Sequence, residues 1–376
     1  MQSKAAIELH HKEKSVSAMG NQYPIFISVF LFIIFLLSYN WKHIDHYFKC
    51  QRCPDTTMML HKEVQNVTTT TSPPIISPPK ETLLLVWNWP WGARFPLDKC
   101  ETEYRIKGCK LSADRGLYSA ADAVIIHHAD VMGNRNALPQ QPRNPYQRWI
   151  WLNLEPPLII SNLGMLDNLF NLTMTFRRDS DIYNPYGHIE SLEESQNFTI
   201  PAKSKLVSWV VSKWYPGIRR IAYYEELKKH ISIDIYGARH MKLSTEKFHS
   251  TISQYKFYLA FENSVYPDYI TEKLWINALG SWTVPVVLGA SRENYEQYIP
   301  GDAFIHVDDF PTAKELAAYL LELEKDDEKY RKYFNWRSRH RVSPWKGWPY
   351  SYCKACEKIQ QGPRYQVIRS VAKWFL

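Results

Sequence analysis

The sequence predicts an α/β fold: two parallel-sheet units with a cleft between them, preceded by a membrane anchor and a stem. Three observations predict it. Short, unbroken apolar runs recur between residues 82 and 289, and such runs read as strands buried on both faces. Helical stretches separate several of them, as parallel crossovers require. A polar stretch near residues 188–205 interrupts the alternation and marks the junction of the two units.

Folded sequence begins at TLLLVWNW (82–89). Strand-like runs follow at AVIIHH (123–128), RWIWLNLE (148–155), LVSWVVS (206–212), ISIDIYG (231–237), YKFYLAFE (255–262) and TVPVVLG (283–289). Helical stretches are RRIAYYEELKKH (219–230), ITEKLWINALG (270–280) and TAKELAAYLLELEKDDEKYRKYF (312–334). There is no internal repeat. Ligands of such sheets sit beyond the carboxyl ends of strands, so the residues closing these runs matter most.

Ahead of the folded part, YPIFISVFLFIIFLLSY (23–39) carries no charge and is near the lower limit for spanning a bilayer. No small-x-small cleavage site follows, which favours an uncleaved anchor over a signal peptide. Lysines and histidines on both sides leave the positive-inside rule close to a tie. Sequons at Asn66, Asn171 and Asn197 make sense only on the lumenal side. A short span also suits a thin, early secretory membrane. Residues 1–22 then form a cytoplasmic tail, and the Thr/Ser/Pro-rich 40–81 a stem that buries no core.

The formal net charge of +8, from 46 basic and 38 acidic residues of 376, comes without a basic block. That argues against nucleic acid and for small anions. The 14 Trp, 24 Tyr and 16 Phe fit a generous core or aromatic walls for sugars. Cys100 and Cys109 lie early in the folded part, and Cys353 and Cys356 form a CKAC near its end. In a secretory lumen these read as disulfide cysteines, the CKAC pair reaching distant partners. Cys50 and Cys53 have no assigned role.

The run FYLAFENSVYPDYITEK (257–273) carries the chemistry. A buried strand ends in Glu262 and Asn263, where an ionic group is costly unless used. A helix starting near Asp268 or Tyr269 would aim free N–H groups at that strand end, a place for phosphate. Lys273 in its first turns is unfavourable for the helix dipole unless an anion is present. Glu262, Asn263 and Glu272 suit sugar hydroxyls. The residues alone point to a nucleotide-sugar site.

FENSVYPDYITEKLW, followed by VPVVLGASRENYEQYIPGDAFIHVDDF, resembles the signature of the α1,3-fucosyltransferases. The resemblance extends through MTFRRDSDIYNPYG (174–187), KLVSWVVSKW (205–214), YFNWR (333–337) and the terminal Cys-x-x-Cys, nearest to the vertebrate Lewis x-forming enzymes. It implies a GT-B architecture of two Rossmann-like domains. An acceptor domain would span 82–200, a GDP-fucose domain 201–345, and a segment 346–376 would return to the first. It also implies a Golgi type II membrane protein acting on lactosamine-bearing glycoproteins and glycolipids. Fucose would pass with inversion to O3 of N-acetylglucosamine, without a cofactor or an obligatory metal. A homodimer is compatible with this reading.

By the same resemblance Glu155 is the catalytic base, and Arg220 and Lys273 bind the diphosphate, with Arg219 the alternative one register away. Tyr269, Glu272, Glu262 and Asn263 would line the donor pocket, with Tyr236 and Gly237 weaker candidates. His128, Ala129 and Asp130 fall in the acceptor motif, where tryptophan or arginine after the paired histidines goes with β1,3- or β1,4-linked lactosamine. Ala129 is neither, and the expectation is β1,4. The pairing implied for the cysteines is Cys100–Cys353 and Cys109–Cys356. The chain departs from the pattern after Glu155, where Pro156, Pro157, Leu158, Ile159 and Ile160 replace a hydroxyl-bearing loop. That loop is the support for a competing class, an anchored glycan-binding or escort protein that has lost catalysis. A transferase acting on the N-glycan core is a further alternative. The DSD of 179–181 invites a divalent-metal reading, but Arg177 and Arg178 before it favour a structural ion-pair network.

Overall fold

The computed structural model describes residues 81–376. The anchor at 23–39, Cys50, Cys53 and Asn66 lie outside them. No helix among the described residues is long and apolar enough to cross a membrane.

The first sheet holds β1 (Thr82–Val86), β2 (Cys109–Ser112), β3 (Ala123–His127), β4 (Arg148–Asn153), β5 (Leu172–Thr175) and β6 (Ile182–Tyr183). They lie in the order β2-β1-β3-β4-β5-β6, and every pairing is parallel. The next strand, β7 (Gly187–Ser191), leaves this sheet. The second sheet holds β8 (Lys205–Val210), β9 (Asp234–Tyr236), β10 (Tyr255–Phe261), β11 (Val284–Leu288) and β12 (Ile305–His306). Its order is β12-β11-β10-β8-β9, again all parallel. A late strand, β13 (His340–Pro344), runs antiparallel to β7.

The seven apolar runs become β1, β3, β4, β8, β9, β10 and β11. Strands β3 and β11 are buried along their whole length, as continuous apolar runs between two helical layers must be. The strands that periodicity missed are short or mixed, such as CKLS in β2 and the two-residue β6 and β12.

Two helices differ from expectation. The stretch 312–334 is two helices, Ala313–Lys325 and Asp327–Lys332. Asp326 leaves the helical region between them (φ −123°, ψ 86°), and its carboxylate caps the second by accepting from Lys329 N at 2.9 Å. The stretch 270–280 begins later than Asp268, which is left-handed (φ 63°) and cannot open a helix. Residues Lys273–Leu279 instead form a π-helix, and Gly280 N donates to Trp275 O five residues back at 3.2 Å. Such wide turns gather at functional sites.

The chain's end packs on the first sheet. Helix Gly347–Gln360 buries Tyr352, Cys353, Ala355 and Cys356 with Leu84, Val86 and Leu111. Cys100–Cys353 and Cys109–Cys356 bridge as the family resemblance implies. Helix Val371–Phe375 sets Phe375 edge-on to Trp151, with centroids 5.1 Å apart.

Candidate active site

A cavity of about 410 Å³ opens where strands of both sheets end. Glu155 reaches it from beyond β4. Val210, Val211, Ser212 and Lys213 come from the end of β8, and Asn263 from the end of β10. Trp91, Tyr186, Arg220, Tyr269, Glu272, Lys273 and Asn277 complete the lining. Six of the residues expected at the site from sequence therefore share one cavity: Glu155, Arg220, Asn263, Tyr269, Glu272 and Lys273.

Local bonds hold the Glu155 backbone rather than its carboxylate. Asn153 Nδ2 donates to Glu155 O at 2.7 Å, and Asn153 Oδ1 accepts from Glu155 N at 3.3 Å. Tyr186 Oη donates to Leu154 O at 2.5 Å. The half-buried carboxyl is thus left free to act on a ligand. Burial pushes its pKa up; Lys213 and Lys273 pull it down by less, and Glu272 adds to the rise.

Three cations, Lys213, Arg220 and Lys273, line the same cavity beside Glu272. Arg220 is the second residue of helix Arg219–Leu227 and is buried, while its neighbour Arg219 turns outward to pair with Asp308. Of the two arginines, Arg220 and not Arg219 lines the cavity. Arg220 Nη2 donates to Lys213 O at 2.6 Å, and its Nε has no acceptor among the described residues. Burial draws its pKa down, with Glu262 and Tyr269 opposing. An anion in the cavity would relieve that cost.

Lys273 Nζ donates to Thr271 Oγ1 at 2.7 Å and pairs with Glu262 Oε2 and Glu272 Oε1, each at 3.0 Å. Burial works against its charge, but the two carboxylates outweigh burial and raise its pKa. Glu262 does not line the cavity. It lies beneath, its Oε1 accepting from Thr271 N at 2.8 Å and Thr271 Oγ1 at 2.9 Å. Burial raises its pKa against the pull of Lys273. The ionic strand end that the sequence flagged is therefore a buried mount for Lys273 rather than a sugar contact. Asn263 Oδ1 is buried without a partner among the described residues and suits a ligand donor.

Tyr236 is a correction. Its hydroxyl meets Tyr255 Oη at 2.8 Å inside the core, away from the cavity. Gly237 beside it has φ 135°, and a Cβ there would strike Val211 O, so glycine lets the end of β9 close on the cavity wall. None of His128, Ala129 and Asp130 lines the cavity either. His128 is fully buried edge-on to Trp151 at 5.6 Å, and burial lowers its pKa to about 4. Ala129 is half-buried. Asp130 acts through Trp91: its Oδ2 accepts from Trp91 N and Asn88 Nδ2, both at 3.1 Å, and meets His127 Nδ1 at 2.6 Å.

Trp91 is the main residue that sequence reasoning missed. It is left-handed (φ 48°, ψ 33°), half exposed, and set against His127 at 4.5 Å and Trp348 at 5.8 Å. Tyr186, Lys213 and Asn277 were missed as well. Asn277 lies one turn after Lys273 on the same helix, a spacing that would have found it.

The sequons differ. Asn197 is exposed. Asn171 is fully buried, its Oδ1 accepting from Trp149 N at 2.8 Å and its Nδ2 donating to Gln366 O at 2.6 Å. A glycan on Nδ2 is compatible only with attachment before the segment around Gln366 docks. In the DSD motif, Asp179 takes a two-pronged pair from Arg177, and Asp181 accepts from Thr173 N at 2.8 Å and Gln366 at 2.9 Å.

Two parallel sheets meeting at one cavity lined by the free Glu155 carboxylate and by Arg220 and Lys273 define an α/β site for an anionic substrate and a nucleophile. The comparisons agree in kind. Residues 79–187 match the fucosyltransferase N-terminal family, and residues 200–374 match glycosyltransferase family 10 (fucosyltransferase), C-terminal part. The 3-galactosyl-N-acetylglucosaminide 4-alpha-L-fucosyltransferase of Homo sapiens is 50% identical over 80% of this chain and 84% of its own. The human 4-galactosyl-N-acetylglucosaminide 3-alpha-L-fucosyltransferase is 49% identical over 80% and 81%. A crystal structure of an alpha1,3-fucosyltransferase with GDP-fucose shares the fold at TM-score 0.50 and 18% identity, covering 81% of this chain and 95% of that one. The chain belongs to glycosyltransferase family 10, the fucosyltransferases.

Proposed function

We propose that this chain transfers L-fucose from GDP-β-L-fucose to O3 of N-acetylglucosamine in lactosamine-type glycans of glycoproteins and glycolipids, inverting the anomeric centre. The observation that carries the reading is that Glu155, Arg220 and Lys273 line one cavity. Glu155 takes the proton of the acceptor hydroxyl as that oxygen attacks the anomeric carbon. The bond to the diphosphate breaks, and Arg220, Lys273 and Lys213 take up the charge that develops on it. No resident metal is assigned a step, and Asp179 and Asp181 already serve internal bonds.

Residues 82–200 form the acceptor half of a GT-B arrangement and 201–345 the donor half, with 346–376 returning to the first. The chain is anchored through 23–39 in the Golgi membrane as a type II protein, with Asn66 and Asn197 as glycan acceptors. Trp91, held by Asp130, supplies the apolar platform for the acceptor. A second reading, transfer to O4 of 3-galactosyl acceptors, is favoured by the 50% identity to the human relative of that name, beside 49% to the 3-alpha-L-fucosyltransferase.

The test incubates secreted residues 54–376 with labelled GDP-fucose and a panel of β1,4- and β1,3-linked lactosamines. Labelled α1,3 product on the β1,4-linked acceptors is expected, with EDTA leaving substantial activity. GDP binding without transfer to any acceptor would replace the enzyme by a binding protein.

A further inference from the structure

We propose that the groove beside Asn197 is a docking site for the first N-acetylglucosamine of a glycan carried by that asparagine, so that the sugar ties three chain segments together. The inference rests on the lumenal reading above.

The sequon Asn197-Phe198-Thr199 lies on the segment that crosses from β7 to β8. All three of its residues line a groove of about 410 Å³, together with Trp282, Arg337 and His340. That volume falls within the roughly 300–1,000 Å³ typical of small-molecule sites. Asn197 is exposed, and its amide makes no hydrogen bond among the described residues, the reverse of Asn171.

The lining suits an acetylated sugar. Phe198 and Trp282, both half-buried with ring centroids 6.5 Å apart, offer a sugar apolar contact at their edges, since Arg331 lies over Phe198 at 5.0 Å and Phe334 stacks on Trp282 at 6.4 Å. Arg337 lies over Trp282 at 4.1 Å and uses one terminal nitrogen on Leu279 O at 2.6 Å; the other has no partner among the described residues. His340 uses Nδ1 to donate to Trp336 O at 3.1 Å, leaving Nε2 to accept from a sugar hydroxyl or the acetamido N–H. A covalently tethered sugar meets these groups at high effective concentration, so weak contacts suffice.

The segments joined are 196–199, 279–282 and 337–342. Gln196 N already donates to Ser338 O at 2.7 Å. The turn 279–282 closes the π-helix Lys273–Leu279, and Lys203 Nζ pins it by donating to Trp282 O at 2.6 Å. The sugar therefore braces the end of that helix remote from the cavity, and its effect is on stability.

The experiment expresses the full chain carrying Asn66→Gln in a glycosylating host, maps Asn197 occupancy by mass spectrometry and measures Tm. Compared are the intact glycoprotein, the same protein trimmed by an endoglycosidase that leaves one N-acetylglucosamine, Asn197→Gln, Thr199→Ala and His340→Ala. The trimmed form should keep the intact Tm. Asn197→Gln and Thr199→Ala should both lose about 2–4 °C. His340→Ala should lower Tm more in the glycosylated protein than in the Thr199→Ala background, where only its bond to Trp336 O is lost. An occupied Asn197 with no Tm difference from Asn197→Gln, or a loss on trimming to one sugar, overturns the docking alone. An unoccupied Asn197 overturns the docking, and absence of glycan from all three sequons of the chain without Asn66→Gln overturns the lumenal reading with it.

Discussion

The two walls of the cavity are built on different physical terms. The wall around Lys273 rests on a charge network close in sequence: Glu262 and Thr271 beneath it and Glu272 and Lys273 in it fall within 12 positions and satisfy one another before any ligand arrives. The wall around Trp91 is assembled from distant pieces. Trp91 follows β1, its cap Asp130 follows β3, Tyr186 follows β6, and Trp348 comes from a helix fixed by two disulfides. Charge must be locally compensated when buried, so it leaves a readable motif. Ring platforms need only shape and area, which distant residues can supply.

The sharpest break between the walls is at Glu155. Glu155→Gln should cut kcat by about 10²–10⁴ while GDP affinity and Tm hold, because the carboxylate supports no internal bond. Near-wild-type turnover would remove it from the mechanism.

Among the cations of the cavity, Arg220→Ala should weaken GDP binding by roughly 10-fold or more, the worth of a charge-assisted contact. Lys273→Met should weaken GDP binding comparably and also lower Tm, since it strands the buried Glu262 carboxylate. Calorimetric titration with GDP beside thermal melts separates the two; equal melts would show that Glu262 is not compensated by Lys273 alone.

Trp91→Ala should raise the acceptor KM by about 3–10-fold and leave the donor KM unchanged, the scale of one lost aromatic contact. A matching rise in donor KM would mean that Trp91 serves both walls.

The pH dependence probes the coupling between the walls. Burial holds the Glu155 carboxyl above its ordinary value, and the base works only when deprotonated. The acid limb of kcat/KM should therefore lie above the usual glutamate range, with activity lost as pH falls through it. Lys213 lowers that pKa, so Lys213→Met should move the limb to higher pH; a shift to lower pH would contradict the sign.

The smallest expected effect is at Ala129. Ala129→Trp should raise turnover on β1,3-linked relative to β1,4-linked lactosamine by a few-fold, about 1 kcal/mol of added apolar contact. An unchanged ratio assigns acceptor choice to the 156–162 loop instead.

The sequence by itself determined the seven principal strands, the two-sheet plan and the charged cluster of Glu262, Glu272 and Lys273, because continuous burial and ionic strand ends are local signals. Family resemblance added Glu155, Arg220 and the disulfide pairing. Only the tertiary structure decided that Glu262 lies beneath the cavity, that Tyr236 faces the core and that Asp130 acts through Trp91. The same holds for Asn171, whose polar sequon is flanked by the buried Phe170 and Leu172. Its amide found partners in Trp149 and Gln366, one 22 and the other 195 positions away. A side chain's type and spacing state what it can bond, but which partner reaches it first depends on how distant segments pack, and that is settled only when the chain closes on itself.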